Sequence, residues 1–166
     1  MTEEIRRLIR RNRGRGVLLD ANVLLLFIIG VFDRGQVASF KRTRAYTRQD
    51  WDRLNELLKF FPVRATLPNV LTEVSNLAST ILSSARGRDF AAAMLSQIRA
   101  LRERYLNSQR AAESDAFARL GLTDAALLEL ARARKYVLLT DDLDLAVTAA
   151  RQGINVINFT NLRSFA

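Results

Sequence analysis

The sequence contains no cysteine and no histidine. A chain without cysteine has neither disulfides nor a thiolate metal site, which fits an intracellular setting. A chain without histidine is excluded from Ser-His and Cys-His catalysis, from imidazole acid–base chemistry and from His-ligated zinc. If the protein is a hydrolase, the catalytic groups that remain are carboxylates and a hard metal cation.

The charge balance is strongly positive. Lys and Arg total 26 residues against 17 Asp and Glu, which gives a net charge of +9, and most of the positive charge is arginine. Such an excess favours a polyanionic partner, nucleic acid first and an anionic membrane second, although a GC-rich coding bias also enriches arginine. With 166 residues, 49% of them apolar, the chain fits one globular domain over residues 1–166.

Residues 1–15 are predicted to be a basic lead-in, with six arginines between Arg6 and Arg15. We expect a helical turn or two and then a mobile stretch, either a solvated tail or a nucleic-acid contact. The segment lacks the apolar core of a secretory signal, and the apolar run at residues 23–32 is shorter than the about 20 residues of a membrane span. The sequence therefore predicts a cytoplasmic protein without a membrane partner.

Short apolar runs typical of buried strands alternate with helical patterns. Strands are predicted at residues 17–19, 63–67, 136–139 and 154–157, and each of the first three runs straight into a helix. Strands that alternate with helices indicate βαβ units and a mainly parallel sheet with right-handed crossovers. The fold class predicted is therefore α/β.

Two further segments are interpreted from their patterns. Residues 86–107 have apolar side chains at helical spacing, ending with Tyr105, and predict one amphipathic helix that packs in the core, followed by a helix at 108–120. Residues 33–48 interleave basic side chains with Phe40 and Tyr46, a pattern that suits single-stranded nucleic acid. The candidate contacts are Lys41, Arg42, Arg44 and Arg48.

Acidic side chains follow or adjoin the predicted strands. Asp20 follows the first strand, Glu73 lies on the helix after the second, and Asp124 lies in the first turn of a later helix. Asp141, Asp142 and Asp144 follow the strand at 136–139. In open α/β sheets, ligands bind at the carboxyl ends of the strands.

Each acid has an ordinary structural explanation when it is taken singly. Asp20 and Asp124 suit helix caps, Glu73 suits the surface, and residues 141–144 suit a solvated turn. Taken together, converging carboxylates would repel one another unless cations neutralised them, and oxygen ligands indicate Mg²⁺ or Mn²⁺. Such ions activate water and stabilise charge on a phosphodiester, which allows hydrolysis without histidine.

Four separated pieces of the chain, in order, resemble the motifs of the PIN domain, a family of metal-dependent nucleases that includes the toxins of VapBC toxin–antitoxin pairs. The resemblance extends from residue 17 to residue 159. The pieces are Val-Leu-Leu-Asp20-Ala-Asn22-Val-Leu, Pro68-Asn-Val-Leu-Thr-Glu73-Val, Gly121-Leu-Thr-Asp124-Ala-Ala and Leu139-Thr140-Asp-Asp142-Leu-Asp144-Leu.

The resemblance implies a site and a fold. Its metal-binding, catalytic acids would be Asp20, Glu73, Asp124 and Asp142, with Asp144 as a further ligand and Asn22 and Thr140 as supporting groups. Asp142 is preferred to Asp141 because the family's acid falls two residues after the threonine. The implied fold is a three-layer α/β/α sandwich around a mainly parallel sheet of four to five strands, and the implied activity is endonucleolytic cleavage of RNA with Mg²⁺ or Mn²⁺.

The chain is longer than the compact toxins of this family, and residues 33–48 and 86–120 make up much of the excess. We therefore predict a metal-dependent endoribonuclease acting on RNA. Two alternatives stay open: the toxin half of a pair with a small antitoxin protein, and a non-catalytic nucleic-acid-binding regulatory module of the same fold. A homodimer is a further expectation.

Overall fold

The central feature of the fold is a parallel sheet. In the computed structural model, which describes residues 3–163, the strands are β1 (Val17–Leu19), β2 (Arg64–Thr66), β3 (Arg102–Glu103), β4 (Val137–Thr140) and β5 (Val156–Asn158). They form one sheet in the order β3-β2-β1-β4-β5, and every pairing is parallel. The α/β class and the central parallel sheet expected from the sequence are confirmed.

Helices cover both faces of the sheet. In the described part of the chain they are α1 (Glu3–Asn12), α2 (Ala21–Phe32), α3 (Arg48–Leu58), α4 (Pro68–Leu77), α5 (Ser79–Leu82), α6 (Gly87–Ala100), α7 (Ser108–Ala112), α8 (Phe117–Leu120), α9 (Leu122–Arg134), α10 (Leu143–Arg151) and α11 (Phe159–Arg163). Helix α2 packs against α3, α4 and α6, whereas α9 packs against α7 and α8. Right-handed crossovers place these two groups on opposite faces, which gives the three-layer arrangement. Among residues 3–163, no helix combines the length and the apolar character that a membrane span requires.

The core is built on strands and a helix that are apolar on every side. All residues of β1 are fully buried, as are Val137, Leu138 and Leu139 of β4, as expected for central strands of a parallel sheet covered on both faces. Helix α2 is apolar almost all round because it is enclosed by neighbouring helices, and its residues from Val23 to Gly30 are buried. The acids after β1 and β4 are therefore carried by rigid elements.

The prediction of one long core helix at residues 86–107 is wrong. Helix α6 ends at Ala100, and the exposed pair that follows, Arg102–Glu103, joins the sheet as an edge strand beside β2. The backbone N–H of Arg104 donates to the carbonyl of Thr66 at 2.9 Å, which continues this pairing. Tyr105 consequently leaves the core and is 80% exposed. The helix predicted at residues 108–120 is also divided, into α7 and α8.

The basic lead-in is more ordered than expected. Helix α1 extends to Asn12, and its Ile9 is buried in the core. The buried Asn12 side chain accepts hydrogen bonds from Arg15 and Asn155, each at 3.2 Å, and so anchors the turn that enters β1. The helix is therefore longer than the turn or two expected, and a buried amide ties the turn after it to the residues before β5.

Gly30 is the position at which α2 meets α3 most closely. A Cβ atom there would lie 2.1 Å from Cδ1 of Trp51, whose indole N–H donates to the carbonyl of Phe27 at 3.1 Å. We expect Gly30→Ala to lower the free energy of unfolding by about 1–3 kcal/mol, because the indole must leave its hydrogen bond. Gly14→Ala is the matched control, since no atom lies within 4 Å of a Cβ at that position. Urea unfolding of both variants tests this expectation, and equal stability would contradict the close contact.

Candidate functional site

The candidate site lies where the direction of the chain across the sheet reverses. From β1 the chain passes to β2 and then β3 on one side, and it returns to β4 and β5 on the other side of β1. A crevice opens at the carboxyl ends of the two strands at such a switch point, and ligands bind there in open α/β folds. Asp20 directly follows β1, and Asp141 and Asp142 directly follow β4.

Asp20 is a helix cap that also contacts the neighbouring strand end. It is only 5% exposed, and one carboxylate oxygen accepts from the backbone N–H of Val23 at 2.7 Å, which caps α2. The other oxygen accepts from the N–H of Asp141 at 3.2 Å. Burial, and after it the nearby Asp141 carboxylate, raises the pKa of Asp20 to about 7. The cap interpretation is confirmed, but it accounts for only one of the two oxygens.

Thr140 links the first acid to Asp142. Its fully buried hydroxyl makes a hydrogen bond to the Asp20 side chain, which opposes the rise in that pKa. The same oxygen accepts from the backbone N–H of Asp142 at 2.9 Å, and Asp142 caps α10 through a 2.9 Å contact with the N–H of Leu145. The supporting role predicted for Thr140 has a geometric basis here, because one hydroxyl orients two acidic residues.

A second acidic group surrounds Asp124. This residue is partly buried in the first turn of α9, and burial raises its pKa to about 7, with further contributions from the carboxylates of Asp142 and then Glu73. Glu73 is exposed on α4 and lines a groove between α4 and the residues after β3. The four predicted acids therefore form two groups that share Asp142. Thr140 joins Asp20 to Asp142, and the charges of Asp142 and Glu73 both act on Asp124.

The other predicted residues lie at the margin. Asp144 is exposed, and its carboxylate lies 4.0 Å from the guanidinium of Arg119. Asn22 is exposed in the first turn of α2. Between residues 3 and 163, the side chains form no group of three or more acids arranged to hold a metal ion. The metal-ligand roles assigned from the sequence therefore stay predictions.

Asp141 has a role that the sequence interpretation missed. One of its carboxylate oxygens accepts a hydrogen bond from the hydroxyl of Tyr46, and the other is buried without a hydrogen-bond partner among the described residues. Burial, followed by the hydrogen bond to Asp141, raises the pKa of Tyr46, so the phenol stays a donor at neutral pH. The two residues are 95 positions apart, and no local pattern signals such a contact.

Tyr46 itself is held from two directions. The Arg163 guanidinium lies 4.7 Å from its ring centroid and forms a 3.2 Å ion pair with Asp50, and the ring of Phe159 is 6.0 Å away. Residues near the end of the described chain thus fix the phenol against Asp141. The arrangement supports Asp141 at the carboxyl end of β4.

The basic segment at residues 33–48 is only partly as expected. Phe40 and Tyr46 are 9% and 6% exposed, so these rings are core residues and are not available to stack on bases. Lys41, Arg42 and Arg44 are exposed on the same segment, which the Tyr46 hydrogen bond ties to the candidate site. Arg48 is also exposed, but it begins α3 and its charge acts on Asp33. The exposed cations of this segment that stay candidates for contact with nucleic acid are therefore Lys41, Arg42 and Arg44.

The candidate ligands are oxygens, the donor type that a hard divalent cation prefers, but the described side chains are not gathered into a group that would hold one. Two of the aspartates have their pKa raised by burial and by neighbouring carboxylates, and Asp141 carries a buried oxygen without a partner among the described residues. These are the features expected where negative charge has been gathered without a basic side chain to neutralise it. A Mg²⁺ or Mn²⁺ ion would supply the missing positive charge.

Comparison of the chain with models of known protein families, with curated proteins and with solved structures gave no match. The fold class is therefore established by the sheet and its covering helices, whereas membership of the PIN family stays a prediction from the four motifs.

The raised pKa of Asp124 predicts a pH-dependent effect of Asp124→Asn on stability in the absence of metal. In the unfolded chain the acid ionises near 3.8, and in the folded chain near 7, so the free energy of unfolding falls as pH rises through this interval. Asp124→Asn has no carboxyl to ionise, so its free energy of unfolding does not fall in this way as pH rises. At pH 8 we expect the variant to be more stable by about 1 kcal/mol, a Tm rise of about 2–4 °C, since partial exposure screens the charge.

Near pH 4 the same substitution should change Tm little, because the wild-type carboxyl is protonated there in the folded protein. Thermal unfolding in EDTA at both pH values measures the difference. Asp115→Asn is the control, because Asp115 is exposed in the turn between α7 and α8. A gain in stability of Asp124→Asn that is the same at both pH values would show that ionisation of a carboxyl raised in pKa by burial and by its acidic neighbours is not its source.

Proposed function

We propose that this protein is a metal-dependent endoribonuclease that hydrolyses RNA phosphodiester bonds at the carboxyl ends of β1 and β4. The observation that carries the proposal is the gathering of acids at this switch point. Asp20 contacts the backbone of Asp141 and shares the Thr140 hydroxyl with Asp142, and the charges of Asp142 and Glu73 both act on Asp124. A binding module or a purely structural domain has no need for acids at this switch point whose pKa is raised by burial and by neighbouring carboxylates, as for Asp20 and Asp124.

The proposed ligands of the ion are Asp20, Asp124, Asp142 and Glu73. Bound Mg²⁺ or Mn²⁺ would supply an activated water and stabilise the charge that develops on the phosphodiester. The chain's own contribution is to orient the acids: Val23 and Leu145 fix Asp20 and Asp142 through their backbone N–H groups, and Thr140 holds the two together. Such supporting hydrogen bonds tune and orient metal ligands.

Two observations support RNA as the substrate. The chain has a net charge of +9, which favours a polyanion. The exposed Lys41, Arg42 and Arg44 lie on the segment that Tyr46 joins to Asp141, so cations border the acidic site. Phosphates on either side of the bond to be cleaved would meet positive charge there, whereas the bond itself would lie at the carboxylates. The preference for RNA over DNA belongs to the proposal and rests on the motif resemblance.

Asp20→Asn and Asp142→Asn test the acid roles without removing the helix caps, because an amide oxygen accepts the same backbone hydrogen bond. We expect both variants to keep the wild-type Tm in EDTA within a few degrees and to lose at least about 100-fold in Mn²⁺-dependent cleavage of single-stranded RNA. Mn²⁺ should also raise the Tm of the wild type more than that of either variant, a readout independent of activity.

Asp115→Asn is the control for these two variants and should cleave like the wild type. Equal cleavage by wild type and Asp20→Asn would overturn the proposed site. Tight RNA binding without cleavage at any concentration of Mg²⁺ or Mn²⁺ would favour the alternative, a non-catalytic nucleic-acid-binding module of the same fold.

The basic segment predicts a salt-dependent contribution to RNA binding. The triple substitution of Lys41, Arg42 and Arg44 by Gln should weaken binding at low salt and reduce the slope of log Kd against log[salt] by about 2, since each lost contact with a single strand contributes about 0.7. The matched control removes the same charge at Arg13, Arg99 and Arg134, which precede β1, β3 and β4 and so lie at the opposite edge of the sheet. An equal change of slope in both triple variants would show that only net charge matters.

A further inference from the structure

A groove of about 540 Å³ extends from the candidate site along α4. One wall is α4, with Asn69, Glu73 and Asn76, and the other is the segment that joins β3 to α7, with Tyr105 and Ser108. Thr123, the neighbour of Asp124, also lines it. Because Glu73 and Thr123 belong to the groove, its inner end is continuous with the proposed cleavage site.

Tyr105 is the exposed aromatic of this groove. It is 80% exposed, the largest value among the exposed large apolar side chains of residues 3–163, and it follows the edge strand β3. Phe60 and Phe117 are each 40% exposed, but neither lines the groove. Among residues 3–163, Tyr105 is therefore the groove's largely free ring, whereas Phe40 and Tyr46, which were expected to stack on bases, are buried.

The lining of the groove is part polar and part apolar, with Pro68 and Leu106 among its residues, and it carries no positive charge. Asn69, Thr72, Asn76 and Ser108 contribute amides and hydroxyls, and neither lysine nor arginine is among the described lining residues. A phosphate would therefore find no cation there and would meet Glu73. An uncharged planar group with donors and acceptors on its edge fits better, because amides offer both kinds of partner and the phenol ring offers a stacking face.

We propose that this groove binds an unpaired nucleobase of single-stranded RNA next to the bond that is cleaved, with the base stacked on Tyr105 and its edge facing Asn69 and Asn76. This inference rests on the proposed ribonuclease function and names the form of RNA that it takes. Bases inside a duplex have no free face for an aromatic side chain, so the groove selects single strands.

The test is the affinity of short fluorescent RNA oligonucleotides, measured by anisotropy in EDTA so that no cleavage occurs. Tyr105→Ala should weaken binding of a single strand about tenfold, and Tyr105→Phe should bind within about twofold of wild type, because the ring and not the hydroxyl is required. Binding of a duplex of the same sequence should be unchanged in both variants. Phe117→Ala is the control for loss of an exposed aromatic outside the groove.

Steady-state cleavage in Mn²⁺ gives a second readout. Since the stacked base is bound alike before and during reaction, Tyr105→Ala should raise KM about tenfold and leave kcat within about twofold of wild type. The Asn69→Ala and Asn76→Ala variants should bind homopolymers of the four bases with altered relative affinities. Unchanged single-strand binding in Tyr105→Ala, or an equal loss in Tyr105→Phe, would overturn the inference.

The same measurements distinguish a failure of the proposed ribonuclease function from a failure of the proposed base-binding groove. If wild type shows Tyr105-dependent binding but no metal-dependent cleavage, the nuclease is overturned and the base-binding groove stands as part of a binding module. If wild type cleaves RNA and Tyr105→Ala matches it in both KM and affinity, the groove assignment is overturned and the nuclease stands. Equal loss of single-strand and duplex binding in Tyr105→Ala would also overturn the groove, since stacking on a free base would not be the cause.

Discussion

The parallel pairing of β1 with β4 is the constraint on which the candidate site depends. The register places Leu19 beside Leu139, and the N–H of Asp20 donates to the carbonyl of Leu139 at 3.1 Å. The two strands therefore end together, and the residues after them must share one crevice. Both strands are fully buried between two helical layers, so the parallel ladder that pairs Leu19 with Leu139 also fixes the meeting of Asp20 with Asp141.

Packing that brings acids together also determines their chemistry. Buried carboxylates that face one another hold protons at higher pH than exposed ones, and the pKa of Asp20 and of Asp124 is raised to about 7 for this reason. The buried strands β1 and β4 and the caps of α2 and α10 hold these carboxylates in place despite their mutual repulsion. The repulsion that results acts between Asp20 and Asp141 and between Asp124 and the carboxylates of Asp142 and Glu73.

Distant parts of the chain complete the surroundings of the site. Tyr46 reaches Asp141 from the basic segment, and Arg163 holds Tyr46 from the last described helix, while β3 adds an edge strand that delivers Tyr105 to the opposite side. Residues 33–48 and 86–120, which make this chain longer than the compact toxins it resembles, are thus the residues that flank the acids. Residues 33–48 contribute the Tyr46 hydrogen bond to Asp141 and the exposed Lys41, Arg42 and Arg44, and residues 86–120 contribute the exposed Tyr105.

Local sequence determined the elements that carry the acids. A run of apolar residues followed at once by an aspartate or a proline specified β1, the Asp20 cap and the start of α4 at Pro68, because strand burial and helix capping are decided by neighbours in sequence. Only the tertiary structure decided that Arg102–Glu103 is a strand, that Tyr105 is exposed and that Tyr46 binds Asp141. An exposed edge strand has no hydrophobic pattern of its own, and a hydrogen bond between residues 95 positions apart depends on how the whole chain packs.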